Sequence, residues 1–566
     1  MFFAERNGAM ERPWVKAYAE GVPYNLEYEK TVMPRALTRS AMQFPDHPAL
    51  IFIDTKIGYR QLNEMANRFA NALIDLGVQP GDKVAMLMPN MPQLVAAAYG
   101  AWRVGAVVVM NNPLYPDTDL EYQFKNSAST ILVTIDLLAP RMIRLRPRTP
   151  IRKIIVTHIR DHLKFPKKQL LPILAKDTHR NIPPQENVCE WLDLMKKYPA
   201  LEPRNQADFE SLACLQYTGG TTGVSKGVML THANLSQNVQ QIASWFPTFK
   251  RGEITDLGAL PFFHIFGLTA CMNICIWMAW ADVLIPRPEP QAILKAIHTH
   301  KVNFFPGVPT MFVGILRHPR VSKYNLRSIK GCFSGAAPLP IEVIQEFESK
   351  TGSQISEGYG LSETSPVATL NPFGGKTKRG SIGVPLPDTD IRIVDLIDGS
   401  KGMPVGEKGE IVIRGPQVAS GYFQMEDETA YAFRDGWLYT GDIGKVDEEG
   451  YFYIVDRKKD MVIAGGFNVY PQEIDEVLIQ HPKIAEACAV GIPDPYRGET
   501  VKAFVVLRTG ETMTAEEVIQ HCKNNLARYK VPESVEFMEA LPKSGVGKVL
   551  RKELRVMEMA KMKAGK

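Results

Sequence analysis

The sequence predicts an α/β protein with a large N-terminal domain of parallel-rich sheets and crossover helices, a β-rich subdomain, and a small α+β domain at the C-terminus. Three observations predict it. Up to about residue 455, short apolar runs alternate with amphipathic helical patterns, which is how parallel strands with crossover helices read. From about Ser381 the segments turn β-rich and glycine-rich. After a run of charges from Asp456 to Asp460, the rest of the chain carries both helix and strand signals. At 566 residues the chain also exceeds what a single core holds, about 250–300 residues. The expected division is residues 1–456, a hinge at 457–460, and residues 461–566.

The elements follow in order. "LNEMANRFANALIDLG" has the apolar spacing of a helix, with Gly77 as its stop, and "KVAMLMP" is a buried strand. "PQLVAAAYGAWRVG" repeats the helix pattern and "AVVVMNN" the strand. "KIIVTH" and "LACLQY" are further strands. Thr231 is a fitting N-cap for "HANLSQNVQQIASWF". "IRIVD", "GEIVIRG" and "YFYIVD" form the β-rich part. "PQEIDEVLIQHP" and "TAEEVIQHCKNNL" read as helices of the last domain, "IAEACAVGIP" and "VKAFVVL" as its strands. From Leu257 to Ala281 there is no formal charge, but Pro261, His264 and Asn273 interrupt the run, so a buried core segment is expected rather than a membrane helix.

The stretch between "LACLQY" and "VML" is the most informative. From Thr218 to Val228 it holds four glycines, four hydroxyl side chains and one lysine. Gly223-Val224-Ser225-Lys226-Gly227 fits G-x-S-x-G, the elbow of serine hydrolases, but that elbow needs a strand running straight into a helix. Here a second apolar run follows, giving strand–loop–strand. The Walker pattern fails because Lys226 follows Ser225 and not glycine. The ingredients still suit a polyphosphate: glycines let backbone N–H groups approach an anion, hydroxyls add donors, and lysine adds a point charge.

"YTGGTTGVSKGVMLTH" resembles the phosphate loop of the AMP-forming acyl-CoA synthetases, in the adenylate-forming superfamily. Five further segments match that family in order: "PFFHIFG", "FSGAAPLP", "EGYGLSET", "GWLYTGDIG" and "LPKSGVGKVLRKEL". "NNPLYPDTDLEYQFKNS" and "DRKKDMVIAGGFNVYPQEIDEV" look most like bacterial long- and medium-chain fatty-acid–CoA ligases, and the likeness runs from about Pro45 to Arg551. The resemblance implies ATP, Mg²⁺ and CoA as cofactors and co-substrates, and a carboxylic acid as the small-molecule partner. Thr218, Gly219, Gly220, Thr221, Thr222, Gly223, Ser225 and Lys226 would hold the β- and γ-phosphates. His264 would flank the carboxylate pocket. Gly335, Ala336 and Ala337 would line the adenine and acyl pockets. In the segment Glu357, Gly358, Tyr359 and Gly360, Tyr359 would stack on adenine. Glu363 would hold the metal and Thr364 touch the α-phosphate. Asp442 and Arg457 would bind ribose, and Lys548 would be the catalytic lysine. The small C-terminal lid would be mobile, swinging at Lys459 to withdraw Lys548 and bring Gly465 and Gly466 beside the CoA arm. Trp277 and Trp280 stand where relatives often carry small residues. A tunnel-facing position for either would favour short or ring-bearing acids.

Taken without the resemblance, several of these residues have ordinary roles. A histidine among aromatics packs in a core, a turn aspartate caps its own backbone, and a lysine near a C-terminus faces solvent. Seven scattered cysteines, with only Cys271 and Cys275 close together, fit a reduced cytoplasmic protein, and a zinc site there would need further ligands nearby. The N-terminus has charges where a signal peptide needs an apolar core. Residues 139–180 carry twelve Lys or Arg against Asp161 and Asp177, inside a chain whose formal charge is +5. That segment reads as a solvated face around a buried strand, or as a peripheral dock for anionic membrane on the inner face. Sparse aromatics speak against nucleic acid. Monomer and homodimer are both open.

Overall fold

The computed structural model describes residues 5–6, 9–10, 12–53, 55–163, 179–218, 225–464, 467–495, 497–543 and 549–564. The chain falls into two compact units. The larger comprises Trp14–Asp390 and Ile413–Leu438, the smaller Ile391–Val412 and Tyr439–Lys566 with the N-terminal residues.

The larger unit is built on two sheets. The first has seven strands in the order Lys226–Thr231, Leu212–Thr218, Val107–Met110, Lys83–Leu87, Ile131–Ile135, Lys153–Thr157, Val188–Glu190. All neighbours are parallel except the first pair. The second has nine strands, and a parallel core runs from Ile355–Gly360 through Gly331–Ser334, Phe304–Gly307, Thr255–Gly258 and Ala281–Leu284 to Pro48–Phe52. Antiparallel strands flank it at both ends. The central parallel strands are buried on both faces, which explains their unbroken apolar runs. Asn90 joins the two sheets. Its amide donates to the carbonyls of Gly258 and Leu260 at 2.9 and 2.7 Å and accepts from Phe262 N at 2.8 Å.

The expected helices stand at Tyr59–Asp75, Pro92–Arg103 and His232–Trp245. Thr231 caps the third by accepting from Asn234 N at 3.1 Å. The uncharged span breaks into strand, short helical turns and strand, all in the core. Asn273 is accommodated there because Tyr99 Oη donates to its side chain at 3.0 Å. Among the described residues no helix is long and apolar enough to cross a membrane. Sequence separation hid one neighbourhood in this span. The buried Cys275 lies within 4.8 Å of the carboxylates of Asp256 and Asp282, both buried and both pushed toward the neutral form by burial. In the basic segment, Arg141 and Arg148 pair with Asp117 and Glu121, and Lys153 donates to the Glu186 carbonyl at 2.8 Å. Part of its positive charge is therefore taken up internally.

In the smaller unit, strands Ile484–Asp494 and Gly498–Leu507 form a long hairpin, extended by Val462–Ala464 and Ser534–Phe537. Helices Pro471–Ile479 and Ala515–Asn525 cover one face through Ile474, Leu478, Val518 and Cys522. Compactness places Ile391–Val412 and Tyr439–Asp456 with this unit, whereas the sequence reading ended the first domain at Asp456. The bonds explain why. Lys408 pairs with Glu473, Lys458 reaches Glu410 at 2.8 Å, and Gln472 N donates to Asp456 Oδ2 at 2.7 Å.

Candidate active site

In open α/β sheets, ligands bind beyond the carboxyl ends of the parallel strands. Most of the described candidate residues of the larger unit lie at such ends. Strand Thr255–Gly258 leads into the loop that carries His264. Gly331–Ser334 leads into Gly335–Ala337, and Ile355–Gly360 carries Glu357 to Gly360 before the turn at Ser362–Thr364. The register pairs Gly307 with Ser334 and Ser334 with Glu357, so the last two strands end side by side.

His264 is half-buried, and its Nδ1 accepts from Phe266 N at 3.3 Å. Phe266 meets Phe333 edge-on, ring centroids 5.0 Å apart. A Cβ on Gly335 would come within 3.2 Å of the Phe266 ring, so the wall there admits only glycine without a shift. Ala336 has the left-handed φ of +72°, and it and Ala337 are exposed. Gly360 is dictated by crowding: a Cβ would sit 1.8 Å from the Pro366 carbonyl. Gly358 pairs with Leu370, and Tyr359, half-buried, pairs with Thr369. The Glu357 carboxylate accepts from Leu339 N at 3.3 Å, and burial raises its pKa. That side chain holds the loop after Ala337.

Thr364 is fully buried. Its hydroxyl accepts from Leu361 N at 2.9 Å and donates to the carbonyls of Leu361 and Pro366. It fastens the turn that presents Glu363. Tyr422 Oη donates to Glu363 Oε1 at 2.8 Å, and Ala419 N donates to the Glu363 carbonyl at 2.8 Å. Burial, then the Glu363 charge, pushes the Tyr422 phenol up, so it stays protonated and remains the donor. The ammonium of Lys226 lies 4.9 Å from the Tyr422 ring centre and pairs with Glu428. Lys226 opens its strand opposite Thr218, the last residue of the preceding strand, with Ser225 just before it. The segment around Tyr422 is stitched to this hairpin by Phe423 N donating to Gly227 O at 2.8 Å and Met229 N donating to Gly421 O at 3.0 Å. The sequence reading missed Tyr422 and Glu428. Neither lies in a motif, and they stand 196 and 202 residues beyond Lys226.

The hairpin also decides between readings of the loop. Lys226–Thr231 is a strand antiparallel to Leu212–Thr218, so Ser225 stands in no strand-to-helix elbow. Gly219, Gly220, Thr221, Thr222 and Gly223 lie outside the described residues, as do Gly465, Gly466 and Lys548.

In the smaller unit, Asp442 is 7% exposed and pairs across the strands with Arg457, whose Nε is 3.4 Å from its carboxylate. Asp442 N donates to Thr440 Oγ1 at 3.0 Å. Burial and the neighbouring Arg457 lower the pKa of Lys459. Trp280 donates from Nε1 to the Lys250 carbonyl at 3.0 Å and packs against Phe249 and Phe304. Trp277 lies under the Arg39 guanidinium at 4.4 Å. Both indoles are thus occupied by core and surface partners.

Comparison with known proteins gives the class to which this fold belongs. The chain belongs to the AMP-binding enzyme family. The family model matches residues 37–423, and that of the AMP-binding enzyme C-terminal domain matches residues 473–548. Among curated proteins it is 44% identical over 552 residues to a long-chain-fatty-acid–CoA ligase of Bacillus subtilis, covering 96% of this chain and 98% of that one. It is 37% identical over 557 residues to a long-chain-fatty-acid–CoA ligase of Yersinia pestis, covering 97% and 99%. Among solved structures, an anthranilate CoA ligase in complex with anthranoyl-AMP matches with a TM-score of 0.83 at 26% identity, covering 96% of this chain and 99% of that one.

Proposed function

We propose that this chain is an AMP-forming ligase that activates a long- or medium-chain fatty acid with ATP and transfers the acyl group to CoA. The observation that carries the reading is the linked set Glu363, Tyr422, Lys226 and Glu428 at the end of the parallel strands, in a chain of this family.

A carboxylate is a poor electrophile. Its oxygen attacks the α-phosphorus of ATP, the bond to the β-phosphate oxygen breaks, pyrophosphate leaves, and acyl-AMP forms. Charge builds on the phosphates as this happens. The hairpin loop would take the departing pyrophosphate through backbone donors, with Lys226 supplying a positive charge. Glu363 fits magnesium: one carboxylate aimed by a neutral phenol leaves the other positions to phosphate oxygens and water. Bound there, magnesium would draw charge from the phosphates. Thr364 acts through the turn, since its hydroxyl would have to leave the Leu361 and Pro366 carbonyls to meet a phosphate. Asp442 and Arg457 would take the ribose hydroxyls, and Lys548 would neutralise the α-phosphate. In the second step the CoA sulfur attacks the acyl carbonyl, AMP leaves, and the thiol proton goes to solvent. Withdrawal of Lys548 by a hinge at Arg457–Asp460, with Gly465 and Gly466 beside the pantetheine arm, would separate the two steps.

Lys226→Met is expected to raise KM for ATP by about tenfold, the loss of one partly neutralised charge–phosphate contact, or about 1.4 kcal/mol. Steady-state kinetics over ATP concentration checks it, and an unchanged KM removes Lys226 from the phosphate site. The substrate reading is tested by AMP release with and without CoA over C4 to C18 acids, benzoate and cyclohexanecarboxylate. Activity is expected to peak on medium or long chains. A peak on benzoate would overturn the fatty-acid assignment while leaving the reaction class intact.

A further inference from the structure

Away from the nucleotide residues, three side chains converge at the carboxyl edge of the seven-stranded sheet. Asp136 follows strand Ile131–Ile135 and His158 follows Lys153–Thr157. The register pairs Ile135 with Thr157, and Asp136 N donates to the Thr157 carbonyl at 2.9 Å, so both residues leave the sheet together. His179, twenty-one residues after His158, brings Nδ1 to 2.9 Å from Asp136 Oδ2. His158 Nδ1 lies 3.0 Å from the same oxygen in an ion pair, without the alignment of a hydrogen bond. Asp136 is fully buried, His158 is 9% exposed, and Asp136 Oδ1 also has no hydrogen-bond partner among the described residues. A fully buried carboxylate oxygen left without a donor beside two imidazoles marks a missing partner, because such groups are normally satisfied.

The cluster has the composition of a metal site. One ligand atom from each of Asp136, His158 and His179 lies within 4.8 Å of the others, so a small closing of the three side chains would bring them to bonds of about 2 Å around one ion. The surroundings orient the ligands. His158 Nε2 is 3.0 Å from Glu190 Oε2, the carboxylate contact that metal-bound imidazoles commonly make through their second nitrogen. Asp161 Oδ2 accepts from His158 N at 2.9 Å, and Arg180 N donates to Asp136 Oδ2 at 2.8 Å. Two imidazoles and one carboxylate suit zinc and its transition-metal neighbours better than magnesium or calcium, which take oxygen ligands.

We propose that Asp136, His158 and His179 bind a divalent transition ion, zinc foremost, with a fourth position left to water. The ion ties His179 to the sheet edge. It is separate from the nucleotide site: Lys153–Thr157 stands four strands from Leu212–Thr218, roughly 19 Å along the edge.

The test uses the full-length protein freed of metal by a chelator. Zn²⁺ is titrated in competition with a chromophoric chelator, and Co²⁺ is added separately to read its visible d–d bands. The expected result is one tight ion per chain, with at least tenfold weaker binding in His179→Gln. Added zinc should raise the Tm of the wild type and leave that of the variant unchanged. His179 is partly exposed and lies outside the ligase machinery, so retained ligase activity shows that the variant is folded. Should activity be lost, Glu190→Gln replaces it, with about tenfold weaker binding expected. Absence of zinc binding in the wild type, or equal affinity in wild type and folded variant, overturns the proposal.

Discussion

Lys548→Ala is expected to slow acyl-adenylate formation by about 10²–10³-fold, the cost of removing one preorganised donor to a developing oxyanion. Thioester formation from acyl-AMP supplied to the enzyme should stay within a few-fold of wild type. The asymmetry follows from the chemistry. In the first step negative charge accumulates on the α-phosphate and the bridging oxygen, and a lysine there stabilises the transition state more than the ground state. In the second step the reacting centre is the acyl carbonyl, and AMP leaves as a stable anion without further help. The two halves are measured separately, by pyrophosphate–ATP exchange and by acyl-CoA formation from synthetic acyl-AMP. Equal loss in both would show that Lys548 supports the fold and not adenylation. Lys548 lies between Val549, which bridges to Lys543, and a glycine-rich run. Lys543 itself is held by Glu486 at 2.6 Å, so the flank is anchored independently of Lys548.

Glu363→Gln should lower kcat/KM for ATP by about 10²-fold or more, and raising Mg²⁺ should recover part of the loss. Glutamine keeps the carbonyl oxygen that accepts from Tyr422, so the bond at 2.8 Å and the turn fastened by Thr364 survive. Only the charge is removed. Tyr422→Phe removes the orienting phenol and leaves the charge, and about tenfold is expected, the usual size of an outer-shell effect on a metal ligand. Kinetics over a Mg²⁺ series distinguishes the two variants. A Glu363→Gln defect that is insensitive to Mg²⁺ would assign Glu363 to the turn and not to the metal.

The contrast between these residues shows what a sequence carries. Periodicity and turn chemistry are local, so the helix Tyr59–Asp75, the strand pair around Ser225 and the cap at Thr231 were readable from short windows. Glu363 and Lys226 were proposed because each sits in a family motif. Tyr422 and Glu428 were not, since they reach the site through a bridge between Val228 and Tyr422 that no local pattern announces. Asp136 and His158 are likewise joined only by strand register, and His179 reaches them only through its contact with Asp136. The compact units divide elsewhere than the expected domain boundary for a related reason: the pairs Lys408 with Glu473 and Lys458 with Glu410 link residues far apart in sequence. Composition does not say which way Trp277 and Trp280 face; in the fold Trp280 packs on Phe249 and Phe304 and Trp277 lies under Arg39.

The central claim is that an acid is joined to AMP before any thiol is involved. Exchange of labelled pyrophosphate into ATP, with Mg²⁺ and a fatty acid but no CoA, measures that step directly. Exchange that depends on the acid is the predicted result. No exchange without CoA, in a preparation that makes acyl-CoA when CoA is present, would contradict it.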